Sequence, residues 1–154
     1  MPVGQPVSRR LALCGALGAC LVPVAGRTQT PDLAIGQEWS VKSGTPTSVK
    51  VIIGRFDPGP DGHTIVSVSI IDIPPGDGPA SVNPTTVGHA PFDESALAAS
   101  LDRVVATGVA PAANFEEGYG MWKSAQGGFF TLGVLEALAA IRTMIEQRQP
   151  PAQP

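Results

Sequence analysis

The chain is 154 residues long, with 10 basic residues against 13 acidic ones, a size that suits one ordinary domain and not two. Glycine and proline together reach about 22% of it, short of the level at which disorder becomes the default, and they cluster between apolar runs as in a loop-rich globule. No basic cluster follows Arg9 and Arg10, which excludes a nucleic-acid footprint.

Residues 1–26 read as a secretory signal. Arg9 and Arg10 supply the positive patch, 11–22 form an uncharged apolar stretch, and Val24, Ala25 and Gly26 are small where a signal peptidase cuts. Counted on through Ala25 the apolar run is about 15 residues, shorter than the ~20 that a membrane-spanning helix needs, so an uncleaved anchor is the poorer reading. Ser8-Arg9-Arg10-Leu11-Ala12-Leu13 resembles the twin-arginine export motif, although Ala12 stands where a bulky apolar residue is usual. The general secretory and twin-arginine routes both stay open. Leu17-Gly18-Ala19-Cys20 resembles a bacterial lipobox and makes Cys20 a candidate lipidation site, yet the chain stays apolar through Ala25 where a lipoprotein tether is polar. Cys14 and Cys20 both lie in the signal, so the mature part is expected to be cysteine-free. That excludes disulfides, cysteine–zinc sites and thiol catalysis from it. Without Arg9 and Arg10, 8 basic residues face 13 acidic ones, a balance of −5. The expected location is periplasmic or secreted, with no transmembrane span once the signal is gone.

Residues 27–36 form a polar lead-in, 37–147 one domain, and 148–154 a proline-rich tail expected to be disordered. Period-two alternation with β-branched residues predicts strands at 38–43, 48–56 and 63–73, divided by turns at 43–47 and 57–62. Residues 74–88 read as a long Pro/Gly loop. The period then changes. Asp93 can cap a helix over 93–105 carrying Leu97, Leu101, Val104 and Val105. Asn114 with Glu117 makes a capping-box start to a helix over 114–123, and 132–147 is a third helix after a brief strand at 129–131. Strands first and helices later predict an α+β fold: a three-stranded antiparallel meander with the helices packed on one sheet face. The expected core is Trp39, Val51, Val68, Ile70, Leu97, Leu101, Trp122, Phe130, Leu138 and Ile141, with Ser67 and Ser69 pointing outward.

A Trp-led first strand, Gly88-His89-Ala90-Pro91-Phe92, then 115–123 with Phe115-Glu116-Glu117-Gly118-Tyr119, and finally Gly127-Gly128-Phe129-Phe130-Thr131 follow one another in this order. Together they resemble a family of small uncharacterised bacterial proteins over about residues 36–146. The resemblance implies a bacterial source and a single folded unit over that range. It implies no activity, cofactor or site residue.

Two histidines are present, His63 and His89, without metal-ligand spacing. His89, near Asp93 and Glu94, has the make-up of a general base oriented by a carboxylate; alternatively it finishes the loop before the helix. Glu116 and Glu117 leave a helix in different directions, which leaves Glu116 as a lone candidate carboxylate beside a helix start. His63 follows Asp61-Gly62 and reads as a turn neighbour. Asp57, Asp61 and Gly62 superficially suggest a calcium loop, but Gly59 and Val68 stand where that loop needs oxygen ligands. Phe115, Tyr119 and Trp122 read as packing aromatics. The expectation is an exported, non-enzymatic binding or accessory protein whose partner is a protein, peptide or envelope component. No cofactor or metal is expected. The alternative is a small hydrolase-like enzyme using His89 with Asp93, Glu94 or Glu116.

If the signal reading is right, intact mass of protein recovered from the periplasm or medium will place the mature N-terminus near Arg27. A retained Met1, or a diacylglycerol-modified Cys20, would overturn it.

Overall fold

The computed structural model describes residues 31–75 and 85–148; the expected signal over 1–26 with Cys20, the middle of the Pro/Gly loop and the tail beyond 148 lie outside the described residues. The fold is α+β. Among the described residues, five antiparallel strands and three α-helices follow in the order β1 (Glu38–Val41), β2 (Lys50–Pro58), β3 (Thr64–Ile71), β4 (Val87–Asp93), α1 (Glu94–Ser100), β5 (Leu101–Ala106), α2 (Phe115–Ser124) and α3 (Val134–Arg148). The sheet order is β4-β3-β2-β1-β5. No helix among the described residues is long and apolar enough to cross a membrane.

The three strands read from alternation are present, and two more flank them. β4 starts inside the expected 74–88 loop, at Val87 and Gly88, and continues through 89–92, for which no element is expected. Proline is tolerated here because β4 is an edge strand. On the outer side the Pro91 carbonyl accepts from the Phe130 N–H at 2.8 Å, and two residues on the Asp93 N–H donates back to the Phe130 carbonyl at 2.8 Å. The brief strand expected at 129–131 reduces to this one parallel bridge between Phe130 and Phe92.

The helix expected over 93–105 breaks after seven residues. Asp93 does cap it, but Leu101 turns extended (φ −88°, ψ 144°) and the chain continues as β5, pairing Val41 with Leu101 and Trp39 with Val104. Leu97, Leu101 and Val104 happen to fall at helical spacing. The adjacent β-branched pair Val104-Val105, which strands accept more readily than helices, goes with the open edge of β1 instead. Flat strands would hold β4 and β5 four spacings, about 19 Å, apart. α1, about 10 Å long, joins them directly. The sheet therefore curls, and register shifts in the β1–β5, β2–β3 and β3–β4 pairings supply the bends.

Curling leaves one face to close on the core. Val51, Ile53, Val66, Val68, Ile70, Ala90 and Phe92 meet Leu97 of α1 and Val134, Ala137 and Leu138 of α3. Each large side chain buried there contributes about 1.5–3 kcal/mol of transfer free energy. Seven of the ten expected core residues are buried; Trp122, Phe130 and Ile141 are only half-buried. Trp122 misses because its helix is elsewhere. The helices do not share one sheet face: residues of opposite parity, Gly54, Ser67 and His89, turn to the other face, and α2 covers it.

Phe92, fully buried and 5.3 Å ring to ring from Phe130, ties the core to the edge bridge. Phe92→Ala is expected to cost about 3–5 kcal/mol in urea denaturation. Val105→Thr, on a side chain 48% exposed, is expected to stay within about 0.5 kcal/mol.

Candidate functional site

The second face carries hydroxyls where the first carries aliphatics. Ser67 and Ser69 point away from the core as expected, yet both are fully buried because α2 and its lead-in cover them. Buried hydroxyls need partners. Ser69 Oγ donates to the Gly88 carbonyl at 2.7 Å and accepts from the Ala112 N–H at 2.9 Å. Ser67 Oγ is joined to His89 Nε2 at 3.0 Å.

Aromatic packing sets where α2 lies. The Phe115 ring rests on Gly54, where a Cβ would come within 2.4 Å of it, and Gly118 lets the helix ride over His89, where a Cβ would stand 2.7 Å from that of the histidine. The imidazole is then ringed by Phe115, Tyr119 and Trp122 at 5.5, 5.7 and 5.6 Å between centroids. The expected capping box is absent: Asn114 makes no side-chain cap bond, so packing rather than capping holds α2.

Beyond the rings lies a charged knot. Asp57 Oδ1 accepts from Tyr119 Oη at 2.9 Å and from Lys123 Nζ at 2.8 Å, while Oδ2 is buried with no partner among the described residues. Burial pushes the Asp57 carboxyl up, but the Lys123 and Tyr119 bonds outweigh it and leave it below its ordinary value. The Arg55 guanidinium lies 4.3 Å above the Tyr119 ring, a cation–π contact, and is held there by Glu116 at 2.9 and 3.1 Å. The sequence concealed this knot, since Asp57 read as part of the turn over 57–62, with a superficial likeness to a calcium loop. The signal available was α2 itself, whose aromatic stripe needs a surface to cover.

The candidate residues do not converge. His89 stands four strand residues from Asp93, about 13 Å along β4. Asp93 instead receives His63, with Nδ1 2.6 Å from Oδ2. Its Oδ1 accepts the N–H groups of Ser95 at 3.0 Å and Ala96 at 3.2 Å together with the Ser95 hydroxyl. Chiefly the Ser95 hydroxyl, then His63, overcomes burial and holds the Asp93 carboxyl down at about 2. Glu116 lies on the outer surface with Arg55. A nucleophile–base pair needs a hydroxyl that a substrate can reach. Ser67 is sealed, and Ser95 bonds the carboxylate rather than the imidazole. His89 does border a shallow groove with Asn114, Glu117 and Met121, which a bound group could reach without touching Ser67.

Burial, opposed only by the nearby Asp57 charge, lowers the His89 pKa from its ordinary 6.5. The unfolded chain therefore binds the extra proton more readily, so stability is complete above about pH 6.5 and declines as the pH falls below it. A second loss follows as the pH falls from about 3.8 towards about 2, where Asp93 gains its proton. Urea midpoints measured from about pH 7 down to about pH 3 should show both declines. His89→Gln should flatten the first and leave the second; a midpoint constant between about pH 7 and 5 in the parent would contradict the assignment. No family model, curated protein or solved structure matches this chain, and the reading of its site rests on this geometry alone.

Proposed function

We propose that this chain is an exported bacterial protein that works by binding, as a non-enzymatic or accessory protein of the envelope, with a protein, peptide or envelope component as its partner. The export part rests on the order of positive patch, apolar stretch and small residues in 1–26. One observation carries the binding part. The hydroxyl joined to His89 is fully buried, and two of the three carboxylates named for orienting the ring are engaged elsewhere, Asp93 with His63 and Glu116 with Arg55. His89 thus serves as a packing joint under α2. The edge strand β5, with Val104 and Val105 exposed at 40% and 48%, is the kind of surface to which an extended partner segment adds as a further strand.

A hydrolase-like reading keeps one observation in its favour, and it is at His63 rather than His89. The Asp93 carboxylate holds His63 Nδ1 at 2.6 Å while the imidazole is about half exposed, the arrangement of an oriented base.

Both readings are tested on the full chain. A photo-crosslinking residue at Val105 should capture one discrete partner from envelope extracts, and Val104→Asp should abolish the adduct. Chromogenic esters should turn over no faster than with His63→Ala. Ester hydrolysis lost in His63→Ala or His89→Ala, with no adduct at Val105, would replace the binding reading with the enzymatic one.

A further inference from the structure

Where β2 begins and β3 has just ended, the core opens. Val49, Ile73 and Pro74 face Leu135, Leu138 and Arg142 of α3 across a cleft of about 230 Å³. Its floor is the core itself: Val49, Ile73 and Leu138 are exposed by only 3%, 3% and 7%. One cation stands in this apolar setting. Arg142 Nη2 donates to the Pro74 carbonyl at 2.7 Å, and Arg142 Nε is buried without an acceptor among the described residues. None of the ion pairs among the described residues includes Arg142. A buried N–H left unbonded is costly, and more so on a charged group. Nε itself has almost no free surface, but the guanidinium borders the cleft, and a ligand oxygen that drew it outward would supply the missing acceptor and remove that cost.

We propose that this cleft binds a small amphipathic carboxylate, whose oxygen accepts from Arg142 Nε while a short apolar tail lies over Val49, Ile73 and Leu138. The planar guanidinium fork matches a carboxylate. A phosphate would bring more charge to desolvate against a single cation, and an uncharged lipid would offer the guanidinium only a weaker, neutral acceptor. The cleft is smaller than the ~300–1,000 Å³ of pockets for drug-sized ligands, which limits the tail to a short one. The site is separate from the α2 face and from β5, and stands whether or not the envelope reading does.

Octanoate serves as the probe on the full, isotope-labelled chain, with acetate and 1-octanol as controls. At about 10 mM, enough to fill a site of millimolar affinity, octanoate should shift the Arg142 Nε–H signal and the amides of Ile73 and Leu138. Acetate lacks the tail and 1-octanol the charge; neither should do so. Arg142→Gln should weaken octanoate binding about ten- to a hundredfold. Ala139→Phe, which fills the cleft and leaves Arg142 in place, should weaken it as well and guards against misfolding of the first variant. No shift with octanoate, an equal shift with 1-octanol, or unchanged binding in both variants would overturn the site.

Discussion

The carboxylate of Asp93 joins the segments on which the rest of the fold depends. One oxygen caps α1 through the Ser95 and Ala96 amides and the other bonds His63 in the turn between β2 and β3. The backbone amide of the same residue fastens the segment at Phe130 to the sheet edge. Burial by itself would make such a group reluctant to ionise, yet the converging donors win and the charge is kept. A cap of this kind is worth about 1 kcal/mol and a charged hydrogen bond about 1.5–3 kcal/mol. The geometric role is larger. The chain must change from strand to helix at this residue, because only a short helix starting here can carry it under the curled sheet to the far edge.

That curl also explains why the two sheet faces differ so much in chemistry. The concave side closes on aliphatic side chains, with α1 and α3 completing the seal. The other side keeps a strip of hydroxyls that a purely apolar helix could not cover without stranding them. α2 suits this strip: it is a weak helix in its own right, interrupted by Gly118 and Gly120, and it brings rings and a tyrosine hydroxyl rather than aliphatic bulk. The histidine between them serves both chemistries. It offers a nitrogen to Ser67 and edge-on or tilted ring contacts to the aromatics, and it gives up ready protonation in return.

What the sequence made legible follows the strength of local signals. β2 and β3 announce themselves through Val49, Val51 and Ile53 and through Val66, Val68 and Ile70, whose alternation no helix would carry. β4 is hidden because Gly88 and Pro91 look like punctuation; only an edge position reconciles proline with a strand, and edge position is a property of the whole sheet. β5 is hidden by Leu97, Leu101 and Val104, which sit at helical spacing although the helix ends between the first two. Asp93 is legible as a cap but not as the partner of His63. His89 is closer in sequence, whereas register sets Asp93 opposite Ile65, two residues past His63. Likewise Ser67 and Ser69 face away from the core as their alternation says, and their burial depends on a helix nearly fifty residues later. The site fails to show in the sequence for that reason: its members come from β2, β3, β4 and α2.

The pairing of Trp39 with Val104 closes the sheet across more than sixty residues of intervening chain. Until β5 arrives, the meander presents β1 as a bare edge beside an apolar concavity that nothing yet fills. Such long-range closure is slow, because loop entropy must be overcome before the contact rewards it. The interval is when a second chain can supply the missing strand in its place. Competition between self-closure and strand exchange during refolding should therefore depend on protein concentration, and it would leave the mature core itself unchanged.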